Sequence, residues 1–160
     1  MGCKLKVCFF KPESDLNPVT VEHYEANILG CTRQFRYSTA NTNTIDMALS
    51  VNGIPVVALE LKNQFTGQDY ICAINQYKND RSSKEFAFRL NHRFLVYFAV
   101  DLYEVWMTTQ LADSNTRFLP FNQGSNGAGV TGGAGNPQNP NGYATSYLWE
   151  EVLQRDSLLD

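Results

Sequence analysis

Three residues near the middle of this chain have the types and spacing to do chemistry: Asp46, Glu60 and Lys62. Glu60 and Lys62 stand two apart at the end of the apolar run IPVVALELK, and Asp46 opens the apolar run before it. If these runs are strands, side chains alternate faces. Val56, Ala58, Glu60 and Lys62 then share one side, and Val57, Leu59 and Leu61 the other. A carboxylate and an ammonium lie side by side, with a second carboxylate fourteen positions earlier on the neighbouring strand. Two carboxylates and a backbone carbonyl can hold Mg²⁺, a hard cation that prefers oxygen ligands and keeps several waters. Such a cation lowers the pKa of a bound water and offsets charge on a scissile phosphate. A lysine beside it can orient or deprotonate the attacking water, or stabilise the pentacovalent phosphate. The chemistry would be metal-dependent phosphodiester hydrolysis. A surface hairpin with a charged end fits the same spacing, because Asp-x(n)-Glu-x-Lys arises often by chance.

The element that must position these groups is a hairpin over residues 44–62, turning at Asn52-Gly53. Asn-Gly between apolar runs is the strongest short-range hairpin signal. A plain two-residue turn would set Val51 opposite Ile54 and Asp46 opposite Leu59. Asp46 would then face away from Glu60, since a one-residue slip reverses every side chain. Shared metal binding therefore requires a three-residue loop or a bulge that adds one residue to a strand. Pro55 favours such an irregularity, because it cannot donate a ladder hydrogen bond.

Around the hairpin the chain alternates between helix and strand signals. Asn17-Pro18 starts a helix, with Gly30 as its expected stop. Val21, Tyr24, Ile28 and Leu29 form its apolar stripe, and Glu25 falls on that stripe. An inward carboxylate is costly unless paired or metal-bound, although the stem of a glutamate can pack while its head reaches water. Residues 33–38 read as a strand and 39–43 as a turn. Residues 63–67 form a loop, and Asp69 caps a helix to about Asn79. Tyr70, Ile74 and Tyr77 face its core side. Gln76 lies off that stripe, flanked by the small Cys72 and Ala73, which would let a sugar-phosphate backbone approach its amide. An ordinary exposed glutamine looks the same. Residues 80–89 are a polar loop with a short helix. Residues 93–100 and 104–109 pair as strands through a turn at 101–103, and 111–122 are irregular.

Residues 124–143 carry seven glycines and two prolines and read as a loop. They lack the Gly-x-x-x-x-Gly-Lys-Ser/Thr pattern of a phosphate cradle. Residues 146–154 form an amphipathic helix with Leu148, Val152 and Leu153 on one side. Leu158 and Leu159 then close the chain with nothing after them to bury them, as in a fragment of a longer polypeptide. This order predicts an α/β (α+β mixed) domain with one central mixed sheet flanked by helices. A length of 160 residues with 43% hydrophobic content suits a single domain, 1–160.

A net charge of −3 is awkward for a free-standing DNA binder, whose affinity comes largely from Lys and Arg on phosphates. Arg33, Arg36, Lys62, Lys78, Arg81, Lys84, Arg89 and Arg93 offer local positive charge, but most read as solvated surface. A domain of this charge is expected to cut DNA delivered to it. No apolar run reaches the ~20 residues of a membrane span. Met1-Gly2-Cys3 lacks the Ser or Thr that an acylation start needs. Cys3, Cys8, Cys31 and Cys72 have no zinc-type spacing and read as reduced cytoplasmic thiols.

The stretch IDMALSVNGIPVVALELKN, followed by CAINQYKNDR, resembles the N-terminal nuclease domain of the R (restriction) subunit of type I restriction-modification enzymes, in the PD-(D/E)XK superfamily. The resemblance continues in FLVYFAVDLYEVWMTTQLADSNTRFLPFNQG and GAGNPQNPNGYATSYLWEEVLQRDSLLD, and covers nearly all of the chain from about Tyr24. It implies a restriction-endonuclease-like core, with Asp46 and Glu60 as Mg²⁺ ligands and Lys62 as the catalytic lysine. Glu25, on the first helix, would be a further metal ligand. The family's Gln-x-x-x-Tyr motif is matched by Gln76, but position 80 is Asp and Tyr77 is out of register. Gln76, Lys78 and Arg81 would be the DNA contacts. The implied partners are double-stranded DNA, an ATP-driven motor domain in the full-length chain, and the modification and specificity subunits. ATP would serve only that motor. A catalytically silent DNA-clamping or subunit-interaction module with the same fold is the alternative.

Overall fold

The computed structural model describes residues 6–90, 92–126 and 133–159. Its centre is one six-stranded mixed sheet, with strands β1 (Leu29–Arg36), β2 (Thr44–Val51), β3 (Ile54–Leu61), β4 (Val96–Val100), β5 (Val105–Thr108) and β6 (Leu119–Pro120) in sequential order. Neighbours run antiparallel except β3 and β4, which are parallel. A parallel pair needs a crossover, and helix α2 (Tyr70–Asn79) lies within it. This is the mixed α/β architecture that the order of elements predicts.

The sheet is covered on both faces. Ala73 and Tyr77, one helical turn apart on α2, pack with Ala58, Tyr97, Ala99 and Phe88 on one side. Val57, Leu59, Phe98 and Val105 pack on the other side against Tyr147 and Leu148. Residues expected to form one helix over 146–154 instead make a π-turn, Leu148–Val152, followed by the short helix α3, Arg155–Leu158. This segment covers the second face, so the terminal leucines are not stranded. Leu159 is 2% exposed and Leu158 packs against the cluster.

Helix α1 (Pro18–Glu25) begins as its sequence dictates: the Asn17 side chain accepts from the Val19 amide, with Pro18 in the first turn. It ends at Ala26, before the expected stop. Gly30 lies in β1, where a Cβ would come 2.6 Å from Ser50 Oγ, so it serves close strand packing. Asp69 caps α2 through the Cys72 amide, as read from the sequence. Residues 111–122 contain the short edge strand β6. Cys8, Cys31 and Cys72 are free thiols. Cys3 and the rest of the N-terminal pentapeptide, part of the glycine-rich loop (127–132) and Asp160 lie outside the described residues.

The hairpin answers the register question. Asn52 (φ 50°) and Gly53 (φ 83°) form a two-residue turn, both in the left-handed region that a type I′ turn requires. Val51 pairs with Ile54 and Ser50 with Pro55, and then the register shifts. Leu49 pairs with Val57, Ala48 with Ala58 and Met47 with Leu59. Val56 is the extra residue, directly after Pro55. The bulge sets the position after Met47, Asp46, level with Glu60. It also moves Val56 off the Ala58 side, and Val56 packs with Val57 and Leu59.

Candidate active site

The β2–β3 ladder ends at Met47↔Leu59, one pair short of Asp46 and Glu60. Beyond it Asp46 Oδ2 accepts from the Leu61 amide at 2.8 Å, across the hairpin. Asp46 Oδ1 accepts from Gln34 Nε2 at 3.4 Å, while Gln34 Oε1 accepts from the Thr44 hydroxyl at 2.8 Å. Gln34 itself is left-handed (φ 51°), an uncommon conformation for a residue with a side chain. No sequence signal marked it.

Glu60 is 0% exposed. Its Oε1 accepts from Arg81 Nε at 3.1 Å and Nη2 at 2.8 Å. The same Nη2 donates to the Thr44 carbonyl at 2.8 Å, so one guanidinium ties β3 to the end of β2. Glu60 Oε2 is buried without a hydrogen-bond partner. Arg81, expected from the sequence at a DNA contact, is instead only 4% exposed and sits behind the carboxylates, its guanidinium also over the Tyr37 ring. A buried carboxylate must have a counter-charge. That rule calls for a cation near Glu60 once its burial is known, and the structure supplies Arg81.

Burial pushes the Glu60 carboxyl from its ordinary 4.5 up to about 7, against the pull of Arg81, and the nearby Asp46 carboxylate raises it further. The folded chain thus holds this proton more tightly than the unfolded chain. Stability from Glu60 is fully present below about 4.5 and is lost as pH rises through about 7. In the cation-free chain the loss should reach about 3 kcal/mol. Urea unfolding from pH 5 to 8 should show this decline in the native chain but not in Glu60→Gln. Equal slopes in the two proteins would refute it.

Lys62 follows β3 directly, and its amide donates to the Val100 carbonyl at 2.8 Å, extending the parallel pairing. Its Nζ donates to Gln76 Oε1 at 2.6 Å, so α2 holds the ammonium through the residue singled out by sequence. Tyr77 is fully buried, its hydroxyl donating to the Phe98 carbonyl at 3.3 Å. Asp80, four residues after Gln76, caps the C-terminus of α2. An open cleft of about 530 Å³ adjoins these groups, lined by Thr42, Asn43, Thr44, Gln76, Asp80 and Arg81. Lys78 is half-buried in the last turn of α2.

The structure therefore brings together Asp46, Glu60, Lys62, Gln76 and Arg81. Glu25 does not join them. It is exposed at the end of α1, where its backbone carbonyl accepts from Arg155. Among the described residues no group of three or more His, Cys, Asp or Glu side chains can hold a metal. No helix among them is long and apolar enough to cross a membrane.

The sequence model of one family, described as type I restriction enzyme R protein N terminus, matches residues 6–116. That span includes the whole cluster. No curated protein and no solved structure matches the chain.

Proposed function

The chain belongs to the type I restriction enzyme R protein N-terminal family, and on that premise we propose that it is the Mg²⁺-dependent nuclease domain of such an enzyme, hydrolysing phosphodiester bonds of double-stranded DNA. The observation that carries this reading is the Val56 bulge, which sets Asp46 level with the buried Glu60 at the end of the hairpin. A charged end on a surface hairpin needs neither the bulge nor a carboxylate at 0% exposure.

The donor set fits the cation. Glu60 Oε2 is a buried oxygen without a partner, and such an oxygen is costly unless something satisfies it. Asp46 and Glu60 would supply the side-chain ligands, with a backbone carbonyl and waters completing a mostly hydrated sphere. Mg²⁺ bound there supplies Lewis acidity toward water and phosphate. Lys62 contributes as an ammonium. Gln76 takes one of its three N–H donors, leaving two for a phosphate oxygen and the attacking water. Its charge then stabilises the added negative charge of the pentacovalent phosphate. The open cleft beside Gln76 admits the backbone of the DNA. Strand scission follows the PD-(D/E)XK pattern, in the cytoplasm, on DNA delivered by the motor and the specificity and modification subunits of the complete enzyme.

Calorimetry with Mn²⁺ as probe tests the reading. The native chain should bind it, and Asp46→Ala should lose that binding while unfolding at nearly the same temperature. A native chain that binds no divalent cation would instead be a silent clamping module.

A further inference from the structure

The buried guanidinium beside Glu60 has no place in the chemistry above. Arg81 directs two N–H groups at one oxygen, Oε1, and leaves Oε2 bare. It is not the side-by-side pairing in which a guanidinium takes both carboxylate oxygens. The third contact, to the Thr44 carbonyl, fixes the guanidinium from β2 as well. Glu60 thus cannot rotate to present its two oxygens together, and its only available donor lies away from Arg81. Asp46 is constrained in the same way, since Oδ2 already accepts from the Leu61 amide and Oδ1 from Gln34.

We infer that Arg81 is a positioning residue of the metal site. It holds Glu60 as a one-oxygen ligand, and it fills the place on Oε1 that a second cation would need, so the site takes a single divalent cation. This rests on the nuclease reading above and adds the stoichiometry and the residue that sets it. Charge agrees. Asp46 and Glu60 carry two negative charges, and Arg81 and Lys62 two positive ones. One divalent cation leaves an excess of two positive charges, which the scissile phosphate offsets by one and its pentacovalent form by two. Two would crowd uncompensated positive charge into a buried corner.

The test is Mn²⁺ titration of the whole chain by calorimetry, with thermal unfolding run in parallel. The native chain should bind one ion. Arg81→Lys keeps the positive charge, but a single ammonium cannot hold Glu60 by two N–H groups and reach Thr44 as well. It should stay folded, bind one ion and bind it roughly tenfold more weakly. Arg81→Met, if it folds, should weaken binding roughly 10–100-fold. Two ions on the native chain would overturn the single-cation assignment. Native affinity in Arg81→Lys, or in a folded Arg81→Met, would overturn the positioning role while leaving the nuclease reading intact. No binding by the native chain would sink the nuclease reading itself, and this inference with it.

Discussion

Lys62→Ala should lower DNA cleavage by the complete restriction enzyme by about 10²–10⁴-fold, while DNA-stimulated ATP hydrolysis by its motor continues. The separation is the point. Lys62 is half-buried at the end of β3, and its backbone amide, which alanine retains, makes the contact to Val100. Its ammonium donates to Gln76, so truncation removes a charge held against α2 and leaves the core alone. The loss should fall on kcat with KM little changed, because the ammonium acts on charge that develops in the transition state. Lys62→Arg should not restore the rate, since a planar guanidinium cannot reproduce the compact point charge that Gln76 orients. Gln76→Ala should fall between native and Lys62→Ala, since it frees the amine without removing it. Cleavage at the native rate in Lys62→Ala would remove the lysine from the mechanism.

Much of this site was legible because strands obey a strict period. Asp46 and Glu60 can share an ion only if one residue is added to the hairpin, and the chain adds it at Val56. The Asn-Gly turn and the proline beside the bulge each had a local chemical signature. The helix caps at Asn17 and Asp69 were legible for the same reason: a side-chain oxygen two or three residues before an orphan amide is a local fact. What was hidden depends on distant parts of the chain. The burial of Glu60 comes from elements that cover its face of the sheet. Arg81 sits twenty-one positions away, in a polar stretch that looks like surface. Its pairing needs the path of α2, which no local pattern gives. Leu158 and Leu159 looked stranded for the opposite reason, since what buries them precedes them in the chain.

The Glu60–Arg81 pair should show strong non-additivity in stability. Arg81→Met alone should cost about 3–5 kcal/mol at pH 8, because it leaves a fully buried carboxylate without its counter-charge. Glu60→Leu alone should cost a similar amount, because the guanidinium then loses its carboxylate and keeps the Thr44 and Asp80 carbonyls and the Tyr37 ring, none of them charged. The double variant Glu60→Leu/Arg81→Met should recover to within about 1–2 kcal/mol of the native chain, or exceed it, since an apolar pair of similar volume removes both desolvation costs. Its Mn²⁺ binding should nonetheless be gone. Urea unfolding of the four proteins gives the coupling energy directly. Single variants each within about 0.5 kcal/mol of native would mean that the pair behaves as if exposed. The expected pattern says the reverse: the ion pair adds little to the stability of the fold, and is kept for the oxygen that it leaves bare beside Asp46.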